Sequence, residues 1–194
     1  MRLYLITADP AMARMAVGAG VDRIFVDLEI HGKVERQGHK DTVISRHSLD
    51  DVRAVREVVD MSQLMVRVNP WHEESPEEIE AVISAGAGAV MLPMFRHADE
   101  VAACTSCVGD RCVKVGLCET SAGLARLDSI LADGGLDEIH FGLNDLHLDM
   151  GLDFLFEVLA GGSSIWQRAS RLSKAFRLDL VELLGWGEVI CQRA

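Results

Sequence analysis

Aromatic residues are scarce in this sequence: they make up 5% of its 194 residues, and tyrosine occurs once. Small and aliphatic residues supply most of the 49% of positions that are hydrophobic. A chain of this length can bury one sizeable core. Small aliphatic side chains suit buried parallel strands covered by helices, so the composition favours a globular α/β protein.

The sequence also lacks any cluster of basic residues. It has 19 Lys and Arg against 30 Asp and Glu, which gives a formal net charge of −11 and a pI of about 5.0. Proteins that bind nucleic acids usually carry a basic patch that contacts the phosphates. We therefore expect no nucleic-acid partner.

No apolar run is long enough to span a bilayer, and the first residues, MRLYLITADPAMA, lack the features of a signal peptide. The five cysteines are an odd number in a chain large enough to fold without disulfides. Both observations lead us to expect no membrane association and a reducing, cytoplasmic location.

Helical and strand-like patterns alternate along most of the chain, which predicts repeated βα units. Three segments have a glycine-containing turn, then a short apolar strand, then polar residues; they begin at Val17, Ile83 and Ala132. The predicted strands are Arg2–Thr7, Arg23–Asp27, Leu64–Val68, Ala89–Leu92, Val113–Cys118 and Glu138–Gly142. The predicted helices are Pro10–Ala19, Ser48–Asp60, Pro76–Ala85, Ala98–Val108, Ser121–Ala132 and Leu152–Leu159. Six such units indicate either a TIM-type (β/α) barrel or a doubly wound sheet.

Polar side chains follow several of these strands where each strand ends. They are Asp27, Glu29, Arg67, Asn69, Glu119, Asn144 and Asp145. In a barrel all these ends converge on one mouth. Carboxylates from neighbouring strands favour a hard divalent cation such as Mg²⁺, and a nearby arginine can bind a substrate carboxylate. Alternatively, each of these residues caps the helix that follows its strand.

The motifs that contain these residues resemble the HpcH/HpaI aldolase/citrate lyase β-subunit family. The matching pieces are VDRIFVDLE, LMVRVNP, EIEAVISAGAGAVMLPMF, VGLCETSAGL and HFGLNDL, and the resemblance covers about residues 1–162. It implies a (β/α) barrel and a metal-dependent lyase that cleaves or forms carbon–carbon bonds in oxo or hydroxy acids.

The resemblance also implies roles for particular residues. Glu119 and Asp145 match the family's metal carboxylates, with Mg²⁺ or Mn²⁺ as the cation. Arg67 matches the arginine that holds the 2-oxo acid and stabilises its pyruvate-type enolate, while Asn144 is a further substrate-binding candidate. Glu29 matches an acidic position near the metal's water network.

The general base is less well marked. In the aldolase branch a catalytic histidine directly follows the acid after the second strand, but Ile30 occupies that position here. The remaining candidates are His31, His39 and His47, in or beside the long polar loop after the second strand, and we select His39. A general base needs reach and a pKa near neutrality, which a loop histidine can provide. His140 is expected to be structural, with its side chain directed outward to the helices.

The family pattern ends after Gly162. Residues 163–194 form an atypical tail in which strands seven and eight are missing or replaced by helices, so the barrel of residues 1–162 is expected to be incomplete. Codons can be chosen for Lys174 to Ala194 whose shifted frame reads GIPVGFGGIARVGGSDLPAG, a family-like segment. We hypothesise that the tail is an out-of-frame translation; a divergent tail is the alternative.

An incomplete barrel exposes the edges of its first and sixth strands, so we expect a homo-oligomer that covers them. The sequence therefore predicts an aldolase-like lyase acting on a small 2-oxo or hydroxy acid. The alternative is a catalytically inactive, truncated barrel that only assembles or binds a ligand.

Overall fold

A computed structural model describes residues 2–31, 47–133, 135–159, 177–181 and 189–191 of the chain. The strands in this part of the chain belong to a single sheet. They are β1 (Leu3–Ile6), β2 (Arg23–Asp27), β3 (Leu64–Arg67), β4 (Ala89–Leu92), β5 (Val113–Cys118), β6 (Glu138–Gly142), β7 (Arg177–Val181) and β8 (Val189–Cys191).

Helices connect the strands. They are α1 (Pro10–Gly18), α2 (Leu49–Arg56), α3 (Ser75–Ser84), α4 (Ala98–Val108), α5 (Ser121–Ala125), α6 (Leu127–Asp133) and α7 (Leu143–Asp149), with 3₁₀ turns at Met61–Gln63 and Leu155–Leu159. None of the helices within the described ranges has the length and apolar character that a membrane span requires.

The first six strands lie in chain order and each runs parallel to the next. Together with their helices they form a curled half-barrel, which is an incomplete α/β barrel. A doubly wound sheet would reverse its strand order at a switch point. That alternative is therefore wrong, because the order β6-β5-β4-β3-β2-β1 has no reversal.

The tail corrects the expectation that strands beyond the sixth are missing or replaced by helices. β7 pairs parallel with β6, and β8 pairs antiparallel with β1. Both strands add to edges that would otherwise leave their backbone N–H and C=O groups unpaired, which is the physical reason for strand formation there. The antiparallel β8 departs from a barrel in which all strands are parallel. The domain boundary expected at Gly162 lies outside the described residues.

Side chains alternate between the two faces of the sheet. The concave face buries a small cluster that includes Tyr4, Phe25, Met65 and Met91, and the convex face packs against the helices. The expectation that the His140 ring points to the helices is wrong. The ring is fully buried and stacks on Tyr4, with ring centroids 5.6 Å apart. The two-residue period of β6 accounts for this, because Ile139 and Phe141 occupy the helix-facing side.

The helix predictions differ from the structure mainly after β5 and β6. The predicted helix Ser121–Ala132 is divided into α5 and α6, and α7 begins directly after β6, where no helix was expected. The predicted helix Leu152–Leu159 is a 3₁₀ turn over Leu155–Leu159. The position of α7 matters for the site, because this short helix carries Asn144 and Asp145.

Candidate functional site

The register of β2 and β3 places Asp27 beside Arg67 at the C-terminal end of the sheet. The guanidinium donates two hydrogen bonds to this carboxylate, from Nε to Oδ1 at 2.8 Å and from Nη2 to Oδ2 at 2.9 Å. Both side chains are at most 2% exposed. The pair is therefore a buried, bidentate ion pair, the strongest form of arginine–carboxylate contact.

Other charges surround Arg67. Its Nε lies 3.4 Å from Oε2 of Glu29, and its guanidinium lies 5.4 Å from the centre of the Phe25 ring. Burial lowers the pKa of Arg67, but the carboxylates of Asp27, Glu29 and Glu119 outweigh it, so the pKa lies above its ordinary value. Arg67 therefore remains charged at every physiological pH.

The contacts of Arg67 refine the role expected from the sequence. The edge of the guanidinium formed by Nε and Nη2 is occupied by Asp27. A substrate carboxylate can use the other edge, formed by Nη1 and Nη2, since a guanidinium offers five N–H donors in a planar fork. Asp27 thereby fixes the direction in which Arg67 presents its remaining donors.

Glu119 follows β5 and is 2% exposed. Its Oε1 accepts a hydrogen bond of 3.1 Å from the backbone N–H of Met94 in the loop after β4. The next residue binds the same loop, because Oγ1 of Thr120 donates to the carbonyl of Phe95 at 2.8 Å. Two consecutive residues after β5 are thus attached to the loop after β4, and the carboxylate of Glu119 has a fixed position.

The end of β6 lies directly against this carboxylate. A Cβ atom added to Gly142 would lie 2.8 Å from Oε2 of Glu119, closer than real Cβ contacts come. Asp145 stands in the first turn of α7, which begins right after Gly142, and it is buried. The far end of α7 is also tied to this region, because Asp149 accepts a hydrogen bond of 2.7 Å from the backbone N–H of Ser121. The fold therefore brings Glu119 to the base of the helix that carries Asp145, while Asn144 is half-buried beside Asp145.

The candidate bases are placed very differently. His47 is half-buried next to Asp27, and its Nδ1 accepts a hydrogen bond of 3.0 Å from the Asp27 N–H. His31 is exposed and packs edge-on against His72, with ring centroids 4.8 Å apart. His39, the candidate selected from the sequence, lies outside the described residues.

His72 lies on the rim of the site but is held as a structural residue. Its Nδ1 accepts from the N–H of Glu74 at 3.2 Å, and its Nε2 lies 3.3 Å from Oε2 of Glu78. A ring that accepts at Nδ1 carries its N–H at Nε2, which faces Glu78. Neither nitrogen is then available to take a proton from a substrate.

Asn69 connects the two loops at this rim. Its Oδ1 accepts from the N–H groups of Ile30 and His31 at 2.9 and 3.0 Å, and its Nδ2 donates to Glu78 at 2.8 Å. A cleft of about 590 Å³ opens here between α2 and α3. Asn69 therefore holds in place the segment that carries Glu29.

The chemistry of the site suits a hard cation. Asp27, Glu29, Glu119 and Asp145 are carboxylates with at most 8% exposure, and buried carboxylates require a compensating charge. Arg67 compensates Asp27 and Glu29 directly. Within the described ranges no group of three or more His, Cys, Asp or Glu side chains is arranged to hold a metal. A pair of carboxylates is nevertheless what Mg²⁺ needs from a protein, because waters and substrate oxygens complete its shell.

Two features of the site were not identified from the sequence. The first is Gly142, which stands out in the sequence only as part of the motif HFGLNDL. The second is the positive φ of 55° at Met94, which no sequence pattern indicates. A glycine at the end of a strand and three residues before Asp145 was the available indication, since glycine often marks a close approach of another group.

The profile of the HpcH/HpaI aldolase/citrate lyase family matches residues 1–170. The chain belongs to this family. Comparison with curated proteins found no match. The family assignment confirms the resemblance of the five sequence motifs and agrees with carbon–carbon lyase activity as the broad function.

Solved structures share the fold at low sequence identity. An HpcH/HpaI aldolase from Desulfitobacterium hafniense DCB-2 is 17% identical with a TM-score of 0.69, covering 94% of this chain and 76% of its own. The citrate synthase SbnG is 17% identical with a TM-score of 0.71, and the match covers 95% of this chain and 78% of the SbnG chain. The citrate lyase β-subunit from M. tuberculosis, complexed with oxaloacetate and magnesium, is 20% identical with a TM-score of 0.58. The match covers 92% of this chain and 76% of that β-subunit. These likenesses support the barrel architecture.

Proposed function

We propose that this protein is a metal-dependent carbon–carbon lyase that cleaves or forms small oxo or hydroxy acids through a pyruvate-type enolate. The observation that carries the proposal is the concentration of buried carboxylates around Arg67 and at the Glu119–Gly142 contact. Burying so many acids is unfavourable unless cations compensate them, and a catalytic site is a common reason to retain such a cluster.

Glu119 and Asp145 would hold Mg²⁺ or Mn²⁺. When bound, the cation supplies Lewis acidity to the oxo group of the substrate and compensates the negative charge that develops during bond cleavage. The magnesium and oxaloacetate in the related citrate lyase β-subunit support this choice of cation and of substrate class.

Arg67 would bind the substrate carboxylate with its Nη edge, because Asp27 occupies the opposite edge. Its charge is fixed by the surrounding carboxylates, so binding does not depend on a proton. The guanidinium also lies where negative charge develops, and donors held in place before the reaction are effective at stabilising such charge. Asn144 would supply a further hydrogen bond to the substrate from the first turn of α7.

We propose His39 as the general base and Glu29 as the acid that orients water near the cation. Among the other two candidates, His31 is exposed and packs against His72, and Nδ1 of His47 is occupied by the Asp27 amide. A neutral His47 therefore carries its proton on Nε2, which makes it a hydrogen-bond donor and not a base.

Three further features belong to the proposal. The six parallel strands belong to an incomplete barrel of the TIM type, the protein assembles as a homo-oligomer, and it works in the cytoplasm. Assembly would protect sheet edges that remain accessible, since unpaired strand edges tend to pair with other chains.

The test is an assay of oxaloacetate decarboxylation and of 2-oxo acid aldol cleavage with Mg²⁺ or Mn²⁺ and with EDTA. We expect turnover that requires the cation and falls at least about 100-fold in Arg67→Ala, which removes a group that stabilises the transition state. If the wild-type protein shows no turnover and no effect of metal, the inactive, truncated barrel is the better description.

The base is tested separately in the same assay. His39→Ala should lower kcat by roughly 100-fold, the usual contribution of a positioned base, whereas His31→Ala should retain activity. Equal activity of both variants would remove His39 from the mechanism without affecting the metal site.

A further inference from the structure

We infer that Gly142 is a positioning residue for the carboxylate of Glu119, and that the backbone amide of Met94 is its second anchor. Together they fix the position from which the carboxylate of Glu119 would bind the cation. The inference rests on the proposed function, because it concerns the same cation site.

The backbone at Gly142 does not itself require glycine. Its φ of −87° and ψ of 93° are accessible to any residue. What requires glycine is space: an added Cβ would lie 2.8 Å from Oε2 and 3.0 Å from Cβ of Glu119. The bare Cα of Gly142 is therefore the surface on which the carboxylate rests.

Met94 fixes the other oxygen. It has a φ of 55°, a left-handed conformation that is uncommon for residues other than glycine. This conformation accompanies the contact of its N–H with Oε1 of Glu119 at 3.1 Å. Strained backbone of this kind persists when surrounding contacts hold it and is frequent at functional sites.

The neighbouring residues make both anchors rigid. Thr120 binds the carbonyl of Phe95 and accepts a hydrogen bond from the Gly123 amide, so the loop that carries Met94 is fastened to the start of α5. Ser121 binds Asp149 at the end of α7, so the helix that begins after Gly142 is fastened to the same place. The carboxylate of Glu119 is held between two elements that cannot move independently.

The two oxygens of Glu119 therefore differ. Oε1 is engaged by an amide, while Oε2 lies at the strand end from which the helix of Asp145 starts. The carboxylate is therefore held at both oxygens before a cation binds. Residues that orient a ligating carboxylate typically change metal affinity by about 10- to 100-fold when altered.

The experiment measures Mn²⁺ binding to the full chain by the electron paramagnetic resonance signal of free Mn²⁺. Gly142→Ala should bind Mn²⁺ at least about tenfold more weakly than the wild type. The matched control is Gly18→Ala, because a Cβ there meets nothing within 4 Å and the backbone is not left-handed. It should bind like the wild type.

A second comparison separates an effect on Glu119 from an effect on Asp145. Adding Gly142→Ala to Glu119→Ala should leave the residual affinity unchanged, because the carboxylate that Gly142 positions is absent. A further loss in the double variant would show that Gly142 acts through the helix of Asp145 and would overturn the inference. So would a Gly142→Ala protein that binds Mn²⁺ like the wild type.

Should Gly142→Ala fail to fold, a crystal structure of the Mn²⁺-loaded wild type decides the matter. The carboxylate of Glu119 should bind Mn²⁺ while it keeps its contacts with Gly142 and with the Met94 amide. A Mn²⁺-bound carboxylate that has left either contact contradicts the inference but leaves the proposed function standing. A wild type that binds no Mn²⁺ overturns the proposed function, and the inference with it.

Discussion

Asp27 and Arg67 form a bidentate ion pair across neighbouring strands, with N–O distances of 2.8 and 2.9 Å, at the C-terminal mouth of the half-barrel. Their residues are direct partners in the register of β2 and β3. In parallel pairs such partners project to the same face. The orientation of the arginine is therefore set by backbone pairing before any substrate binds.

Replacing Asp27 by Asn should damage both stability and activity. The guanidinium of Arg67 would remain buried with a weaker partner, which we expect to cost about 3 kcal/mol in the free energy of unfolding. Its Nη edge would also lose its fixed direction, and kcat/KM for oxaloacetate should fall roughly 100-fold. Urea denaturation and the decarboxylation assay measure the two effects.

The matched control for this prediction is Asp50→Asn. Asp50 also pairs with an arginine, Arg53, but the two side chains are 91% and 57% exposed. Exposed pairs contribute about 0.5 kcal/mol or less. Equal losses of stability in the two variants would show that burial of the Asp27–Arg67 pair has no energetic consequence.

Metal addition should stabilise the protein through Glu119. A cation that binds only the folded state at 100 times its Kd adds about 2.7 kcal/mol to the free energy of unfolding. We expect Mg²⁺ to raise Tm of the wild type and to leave Tm of Glu119→Ala unchanged, as measured by calorimetry with EDTA as the baseline. Glu77→Ala, an exposed acid in α3, is the control and should respond like the wild type. A rise in Tm that survives in Glu119→Ala would place the cation elsewhere.

Acid should weaken the fold through Glu138. Burial raises the pKa of this carboxyl, but the neighbouring His140, 3.7 Å away, and the Arg23 guanidinium outweigh burial and hold the pKa at about 2, below its ordinary 4.5. The Arg23 contacts are 2.7 and 3.0 Å. Because the folded-state pKa is depressed, the stabilisation is complete above 4.5 and is lost as the pH falls towards 2.

The size of this effect can be bounded and measured. The shift corresponds to at most about 3 kcal/mol of stability at neutral pH. Urea denaturation at about pH 6 and about pH 3, on either side of the ordinary pKa, should show a decline for the wild type. Glu138→Gln should be less stable at pH 6 and decline less steeply. Parallel pH curves for the two proteins would exclude Glu138 as the titrating group.

The nucleotide sequence tests the hypothesis of an out-of-frame tail. We expect the codons for Lys174 to Ala194 to read GIPVGFGGIARVGGSDLPAG in the shifted frame, continuing as a barrel-like segment. An early stop codon in that frame would contradict the hypothesis and favour a divergent tail. The strand pairing of β7 and β8 does not decide between them, because any extended segment can satisfy an open sheet edge.

The sequence determined the six parallel strands, because a strand buried on both faces is a short, nearly continuous apolar run between turns. It also determined which acids and which arginine stand at the strand ends, and the motifs around them identified the family. The helix after β6 and the pairing of the tail were not predictable in the same way. The segment LNDLHLD is too short to show a clear helical period. The tail strands form because the edges of β1 and β6 are open, which local sequence does not reveal.

Only the tertiary structure decided how those polar residues are used. That Asp27 takes one edge of Arg67, that Met94 adopts a left-handed backbone, and that Gly142 makes room for Glu119 all depend on contacts between segments far apart in the chain. Local sequence patterns report burial and backbone preference, whereas distances between strand ends are fixed by sheet register and curvature. The sequence therefore determined which chemical groups are available to the site, and the tertiary structure determined their geometry.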